Sequence, residues 1–468
     1  MNANKNEWKH LDTYLTEFKT ITKSFIDNLD ERNVASPVTT IESNYFPEHG
    51  HTFLETIETL KQTIIPNLSA SRGGRYWGFV TGGATPISTF ADWLVTTFDQ
   101  NVSKDGDSIT TAIEHQTIAW ICSLFHLPNS FKGSVTTGAT AANVLAAITS
   151  RQYVGNQQNI DIAKEGMAHV DVDIFSACPH ASMLKALGIA GFGQNQVKKI
   201  KTLPNSEKMD VDDLVYALSR SNAKSKIVIS SAGTVTATDF DSFPEIKSIC
   251  RTHNAWLHVD AAFGIFDRLV NGPNGKTKGI EFADSITLDC HKWLNVPYES
   301  GIFLTQHPEM LFSSCDVPAP YLTATENQID FMSFGIENSR RFRAFPIWLT
   351  LYAYGREGIK TWVSGNMECA LTFSKWIKDH KHLELMISPK LNVVLFRTSF
   401  PNLSETEQDE KTKALLLEIN RSGKLFLSPG KWDGKNIIRA AISNWQTDDE
   451  DVLIATKAID IALGKIMM

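Results

Sequence analysis

The chain has 468 residues, 42% of them hydrophobic, with a formal net charge of −7. That length accommodates roughly two or three domains with a sizeable core, and the acidic balance argues against nucleic-acid or membrane-surface partners, which select a basic field. Six cysteines without a CxxC pair read as reduced thiols, and no run approaches the ~20 apolar residues of a membrane span, so the expectation is a cytoplasmic protein.

The N-terminal stretch MNANKNEWKHLDTYL has no apolar signal-peptide core. Trp8, Leu11, Leu15, Phe18, Ile21, Phe25 and Leu29 recur at helical spacing, and a second helical pattern runs from Thr52 to Ile65. Two such helices make little core by themselves, so residues 1–73 are expected to form a helical arm lying on the main body or on a partner chain. From 74 to 344 short apolar runs alternate with helical segments. Strands are expected at Val170–Ala177, Ile227–Val235, Trp256–Phe263, Ser285–Leu288 and Gly301–Thr305, with helices at Ala139–Tyr153, Val211–Ser221 and Pro244–Asn254. This alternation predicts an α/β domain with a mostly parallel sheet covered on both faces. Residues 345–468 are expected to form a smaller α/β domain: a long helix Phe345–His380, a strand Leu391–Arg397, a helix Glu407–Asn420, a strand Ile437–Ile442 and a last helix from Asp448.

Four elements carry candidate chemistry. Gly133-Ser134-Val135-Thr136-Thr137-Gly138-Ala139-Thr140 runs into a helix, and small residues and hydroxyls at a helix N-terminus suit a phosphate. His180 follows a strand, in Cys178-Pro179-His180. Asp260 closes the strand ending His258-Val259-Asp260-Ala261-Ala262, where a carboxylate can pair with a protonated ring nitrogen. Lys292, in Asp289-Cys290-His291-Lys292-Trp293, ends another buried strand. Burial disfavours an ammonium, and a neutral amine is what Schiff-base chemistry requires. Each element has an ordinary reading by itself: a helix cap, a surface histidine, a capping aspartate, a solvated lysine.

In this order the four elements resemble the group II pyridoxal-phosphate (PLP) dependent decarboxylases, which include the aromatic amino-acid, glutamate and cysteine-sulfinate decarboxylases. The resemblance runs over nearly the whole chain, and His291-Lys292-Trp293 with the upstream HVDAA is its most specific part. Tyr76-Trp77, Ala91-Asp92-Trp93-Leu94 and Ser339-Arg340-Arg341-Phe342-Arg343 are similar to further family segments. The resemblance implies PLP-dependent transferase fold type I, with a seven-stranded-type large sheet. It implies decarboxylation of an L-amino acid to the amine and CO2 by a homodimer whose active site is built at the subunit interface. It implies Lys292 as the Schiff-base lysine, Asp260 as partner of the pyridine nitrogen, His180 and Ala262 on the two ring faces, and Ala139, Thr140 and His291 as phosphate contacts. Tyr321, in Pro320-Tyr321-Leu322, matches the tyrosine of the family's mobile loop, which protonates the substrate carbon after CO2 leaves. Arg439 resembles the arginine that holds the substrate carboxylate.

The chain departs from the family at Gly233-Thr234-Val235, where a Thr-Thr pair is usual after the glycine. It departs also at Phe79-Val80-Thr81-Gly82-Gly83, which lacks the aromatic pair of aromatic-amino-acid decarboxylases, and at Asp99-Gln100-Asn101-Val102. In the relatives these positions line the substrate pocket. Two rival reactions use the same machinery: an aldolase-like cleavage of Cα–Cβ bonds, and an aldehyde synthase in which the carbanion meets oxygen. Relatives of the second kind usually lack the loop tyrosine. Two motifs are set aside. Gly275-Lys276-Thr277 resembles a P-loop, but Val270 stands where its first glycine belongs. Asp289-Cys290-His291 offers metal-ligand types, yet neighbours on a strand point to opposite faces and no second cluster completes a site, so no metal is expected.

Overall fold

The computed structural model describes residues 8–37, 40, 46–106, 108–316 and 330–467. Its large sheet contains β1 (Lys132–Thr136), β2 (Val172–Ser176), β3 (Val197–Lys199), β4 (Ser225–Ser231), β5 (Ala255–Asp260), β6 (Ser285–Asp289) and β7 (Gly301–Thr305). The strands lie in the order β1-β7-β6-β5-β4-β2-β3, with β7 antiparallel to both neighbours and the other pairs parallel. The C-terminal ends of β1, β2, β4, β5 and β6 therefore open on one edge, where ligands of open α/β sheets bind.

Both faces of this sheet are covered by helices. The α-helices longer than five residues are, in chain order, α1 (Leu11–Asp27), α2 (Phe53–Thr59), α3 (Pro86–Phe98), α4 (Thr110–Leu124), α5 (Ala139–Asn156), α6 (Ala181–Ile189), α7 (Val211–Ser219), α8 (Phe243–Thr252), α9 (Pro308–Cys315), α10 (Ala344–Asp379), α11 (Glu405–Arg421) and α12 (Asp449–Met467). Ile227 and Ile229 pack with α5 and α6 on one face, whereas Val228 between them packs with α4, α7 and α8 on the other. This period of two is the pleat at work. Every residue of β5, β6 and β7 is buried, and their apolar residues fall on both faces rather than on one.

A second, antiparallel sheet follows: β8 (Leu383–Ile387), β9 (Val393–Thr398), β10 (Ser428–Trp432) and β11 (Lys435–Ala441), in the order β10-β11-β9-β8. Leu415 and Ile419 of α11 and Ile459 of α12 pack with Val394, Phe396 and Ile438 of this sheet.

Four strands escape the sequence reading. β1 lies in the glycine-threonine stretch that is read above only as leading into a helix, β3 has three residues, β8 follows closely on a long helix, and β10 contains Pro429 and Gly430, which disfavour a strand. As an edge strand β10 tolerates the proline. The single helix expected over 345–380 is broken at Gly355, which takes φ +58. A Cβ there would meet nothing, so the left-handed backbone is the reason for glycine.

The arm helix α1 forms as its spacing predicts, but it buries none of its residues. Tyr14 touches Phe53 (centroids 4.2 Å apart), Phe18 meets Trp93 edge-on and Lys61 pairs with Glu17, while Leu11, Leu15 and Ile26 stay exposed.

Candidate active site

The strand ends of the large sheet form one wall of a cavity of about 1310 Å³. Lys292, Asp260, His180, Ala139, Thr140, Ala262, His291 and Arg439 all line it, so the predicted site residues within the described chain come together in one place. Tyr321 lies outside the described residues.

Lys292 follows β6, and its Nζ sits 3.0 Å from Asp289 Oδ2. The amine is thus ion-paired rather than simply desolvated, as the sequence reading expects. Asp289, read in the sequence only as a metal-ligand type, is the residue that reading misses. Its other oxygen accepts the Ala139 amide at 2.6 Å, tying the first turn of α5 to the lysine segment. His291 accepts the Ser300 amide at Nδ1 (3.3 Å) and lies against Tyr298 (4.5 Å between centroids). Burial holds the His291 imidazole below its ordinary pKa.

Gly82 is required by close approach. A Cβ on it would stand 1.8 Å from the Lys292 carbonyl oxygen. Gly82→Ala is expected to push the Lys292 backbone out of place, at a cost of about 1–3 kcal/mol or more. Thermal unfolding together with bound-cofactor content measures it: a lower melting temperature and reduced loading are expected, and a variant matching the parent in both would contradict this packing.

Asp260 ends β5. Its Oδ2 accepts from Asn143 Nδ2 at 3.1 Å and its Oδ1 from the Ala262 amide at 3.2 Å. His180 caps α6 and faces the cavity; its Nδ1 lies 2.7 Å from Ser182 Oγ. Desolvation lowers its pKa, opposed by the nearby Asp260 carboxylate. Arg439, on β11, is buried: Nε donates to the Val235 carbonyl at 2.7 Å, Nη1 donates to the Phe79 carbonyl, and Nη2 has no partner among the described residues. Burial lowers its pKa to about 10, against the attraction of Glu207. Phe79 takes φ +61, unusual for a bulky residue, and is pinned there by Arg439 and by Ser428 Oγ, which accepts its amide at 2.9 Å. Two segments singled out in the sequence, the family-like 339–343 and the divergent 99–102, lie elsewhere. Arg340 is spent on the buried Glu114 (2.7 Å), and Asn101 and Val102 bond to residue 340 rather than facing this cavity.

This donor set fits a phosphorylated pyridine aldehyde. The first turn of α5 closes only at the Ala142 amide, so the amides of Thr140 and Ala141 are left for an anion at the helix N-terminus. Across the cavity stand an amine, a fixed carboxylate and the Arg439 guanidinium.

A doubly covered α/β sheet with a lysine and an aspartate at adjacent strand ends, facing a helix N-terminus, defines a cofactor-dependent enzyme of PLP fold type I. The chain belongs to the pyridoxal-dependent decarboxylase family, whose conserved domain matches residues 37–399. It is a carboxy-lyase acting on an amino acid, with PLP as cofactor. Among curated relatives, the aromatic-L-amino-acid decarboxylase of Bacillus atrophaeus is 29% identical, covering 87% of this chain and 85% of the relative. The 4-hydroxyphenylacetaldehyde synthase of Rhodiola rosea is 22% identical, covering 87% and 84%. A solved structure of Oryza sativa TDC with PLP and tryptamine shares the fold at a TM-score of 0.91 and 18% identity, covering 100% of this chain and 99% of that one.

Proposed function

We propose that the enzyme converts an L-amino acid to its amine and CO2, and that it works as a cytoplasmic homodimer. The observation that carries the reaction is the convergence of Lys292, Asp260, His180, Arg439 and the α5 N-terminus on one cavity. PLP supplies an electron sink for the carbon–carboxylate bond that breaks. Lys292 carries the cofactor through its amine. Asp260, held by Asn143 and the Ala262 amide, keeps the ring nitrogen protonated. His180 and Ala262 would contact the cofactor ring and Thr140, the Ala141 amide and His291 would hold the phosphate, whereas the Ala139 amide, also expected there, is spent on Asp289. Arg439, which lines the cavity, holds the substrate carboxylate, and Tyr321 returns a proton to the substrate carbon.

Relatives named for aromatic substrates make aromatic L-amino acids the first to test. A screen of the standard amino acids for CO2 and amine decides the reaction. Equimolar amine and CO2 from one L-amino acid is the expected result. Aldehyde with peroxide would favour the synthase, and carbon–carbon cleavage without CO2 would favour the aldolase-like reading.

The dimer reading rests on two observations. Among the described residues, Leu11, Leu15 and Ile26 of α1 stay exposed, and the segment 99–102, which the resemblance places at the substrate pocket, packs instead against residues 339–341. A second copy would bring that segment to a site. Light scattering is expected to give twice the chain mass for active enzyme; a stable, active monomer would refute the dimer. For compartment, the six cysteines are unpaired, and among the described residues no helix is long and apolar enough to cross a membrane.

A further inference from the structure

We propose that Asn143 is a positioning residue whose one carboxamide orients the Asp260 carboxylate and, through Ser182, fixes His180 as the tautomer with its proton on Nε2, the nitrogen left free for the cavity. The proposal rests on the reading of Asp260 and His180 as cofactor contacts and adds the device that sets both.

The hydrogen-bond directions follow from a buried chain of side chains. Asn143 is completely buried in the first half of α5. Its Nδ2 lies 3.1 Å from Asp260 Oδ2 and 3.1 Å from Ser182 Oγ, and its Oδ1 lies 3.3 Å from His258 Nε2. The opposite amide orientation would set a carbonyl oxygen against a carboxylate, so the two N–H groups face Asp260 and Ser182. His258 must then donate from Nε2. It does so as the neutral ring: Trp256 Nε1 donates to Ser285 Oγ at 3.2 Å, leaving the Ser285 hydroxyl proton for His258 Nδ1 at 2.9 Å. Burial agrees, since it lowers the His258 pKa to about 4 and keeps the ring uncharged near neutrality.

On the other arm, Ser182 Oγ accepts from Asn143 and therefore turns its own proton toward His180 Nδ1, 2.7 Å away. The Ser182 amide points at the same nitrogen from 3.2 Å. Two donors on Nδ1 leave the proton of the neutral ring on Nε2. Trp256, Ser285, His258, Asn143, Ser182 and His180 thus form one directional chain, and Asn143 is the branch point that also grips Asp260. Such fully satisfied buried networks specify a single arrangement.

The test is ¹⁵N NMR of histidine-labelled holoenzyme, with the His180 signal identified by its loss in His180→Gln, read beside the cofactor's visible absorption. The parent is expected to show His180 protonated at Nε2. Ser182→Ala removes the hydroxyl donor on His180 Nδ1 and keeps the amide donor of residue 182: it is expected to lower the share of the Nε2 tautomer with the absorption band unmoved. Asn143→Leu cuts both arms and is expected to mix the tautomers and shift the band, because Asp260 loses its side-chain donor. A parent ring protonated at Nδ1, or Ser182→Ala with an unchanged tautomer, would overturn the proposal even if Asn143→Leu fails to fold. Failure of the underlying site reading shows itself differently: the His180 signal would then be the same with and without cofactor, whichever tautomer it reports.

Discussion

Lys292→Ala is expected to lower CO2 release by roughly a thousandfold or more, the scale on which loss of a covalent or proton-transferring group acts. The substitution removes the amine and its 3.0 Å pairing with Asp289. It leaves the Ala139 amide on Asp289 and the α5 N-terminus in place, so the variant should fold and retain weak, non-covalent cofactor binding. Substrate saturation curves on the parent and the variant, both supplied with excess cofactor, measure the effect. Activity within about tenfold of the parent would show that another group does this work.

Tyr321→Phe is expected to change the product rather than only the rate. If the phenol returns the proton to the substrate carbon, removing its hydroxyl leaves CO2 loss largely intact while the carbanion persists long enough to meet oxygen. The variant should then shift from amine toward aldehyde, ammonia and peroxide. Similarity to both decarboxylases and aldehyde synthases makes this partition the informative quantity. A tyrosine that merely packs would lower rate or stability with the amine-to-peroxide ratio unchanged, and that result would remove Tyr321 from the catalytic set. Aldehyde from the unmutated enzyme would make the protein a synthase.

The parts of the fold legible in the sequence are those that one physical constraint dominates. β5, β6 and β7 are buried on both faces and read as apolar runs. Lys292 and Asp260 stand out because they sit at the ends of such runs, and His180 because it follows β2, whose last three residues are buried. Strands whose composition answers to something else are not legible: β10 holds Pro429 at a sheet edge, and β1 is short and polar. The site's supporting contacts are hidden for a different reason. Asn143 meets Asp260 across 117 positions, Asp289 meets Ala139 across 150, and Arg439 reaches Phe79 across 360. No local periodicity encodes such pairs. Asp289 carried one usable signal, its place three residues before the lysine at the end of the same buried strand.

The central claim is that Lys292 carries the cofactor, and reduction followed by peptide mapping tests it most directly. Borohydride added to the yellow holoenzyme should bleach its absorption and fix a pyridoxyl group covalently to the protein. Digestion should then place that group on the peptide containing Asp289-Cys290-His291-Lys292-Trp293, at Lys292. A label on any other lysine, or no label after reduction in the presence of added PLP, would contradict the account.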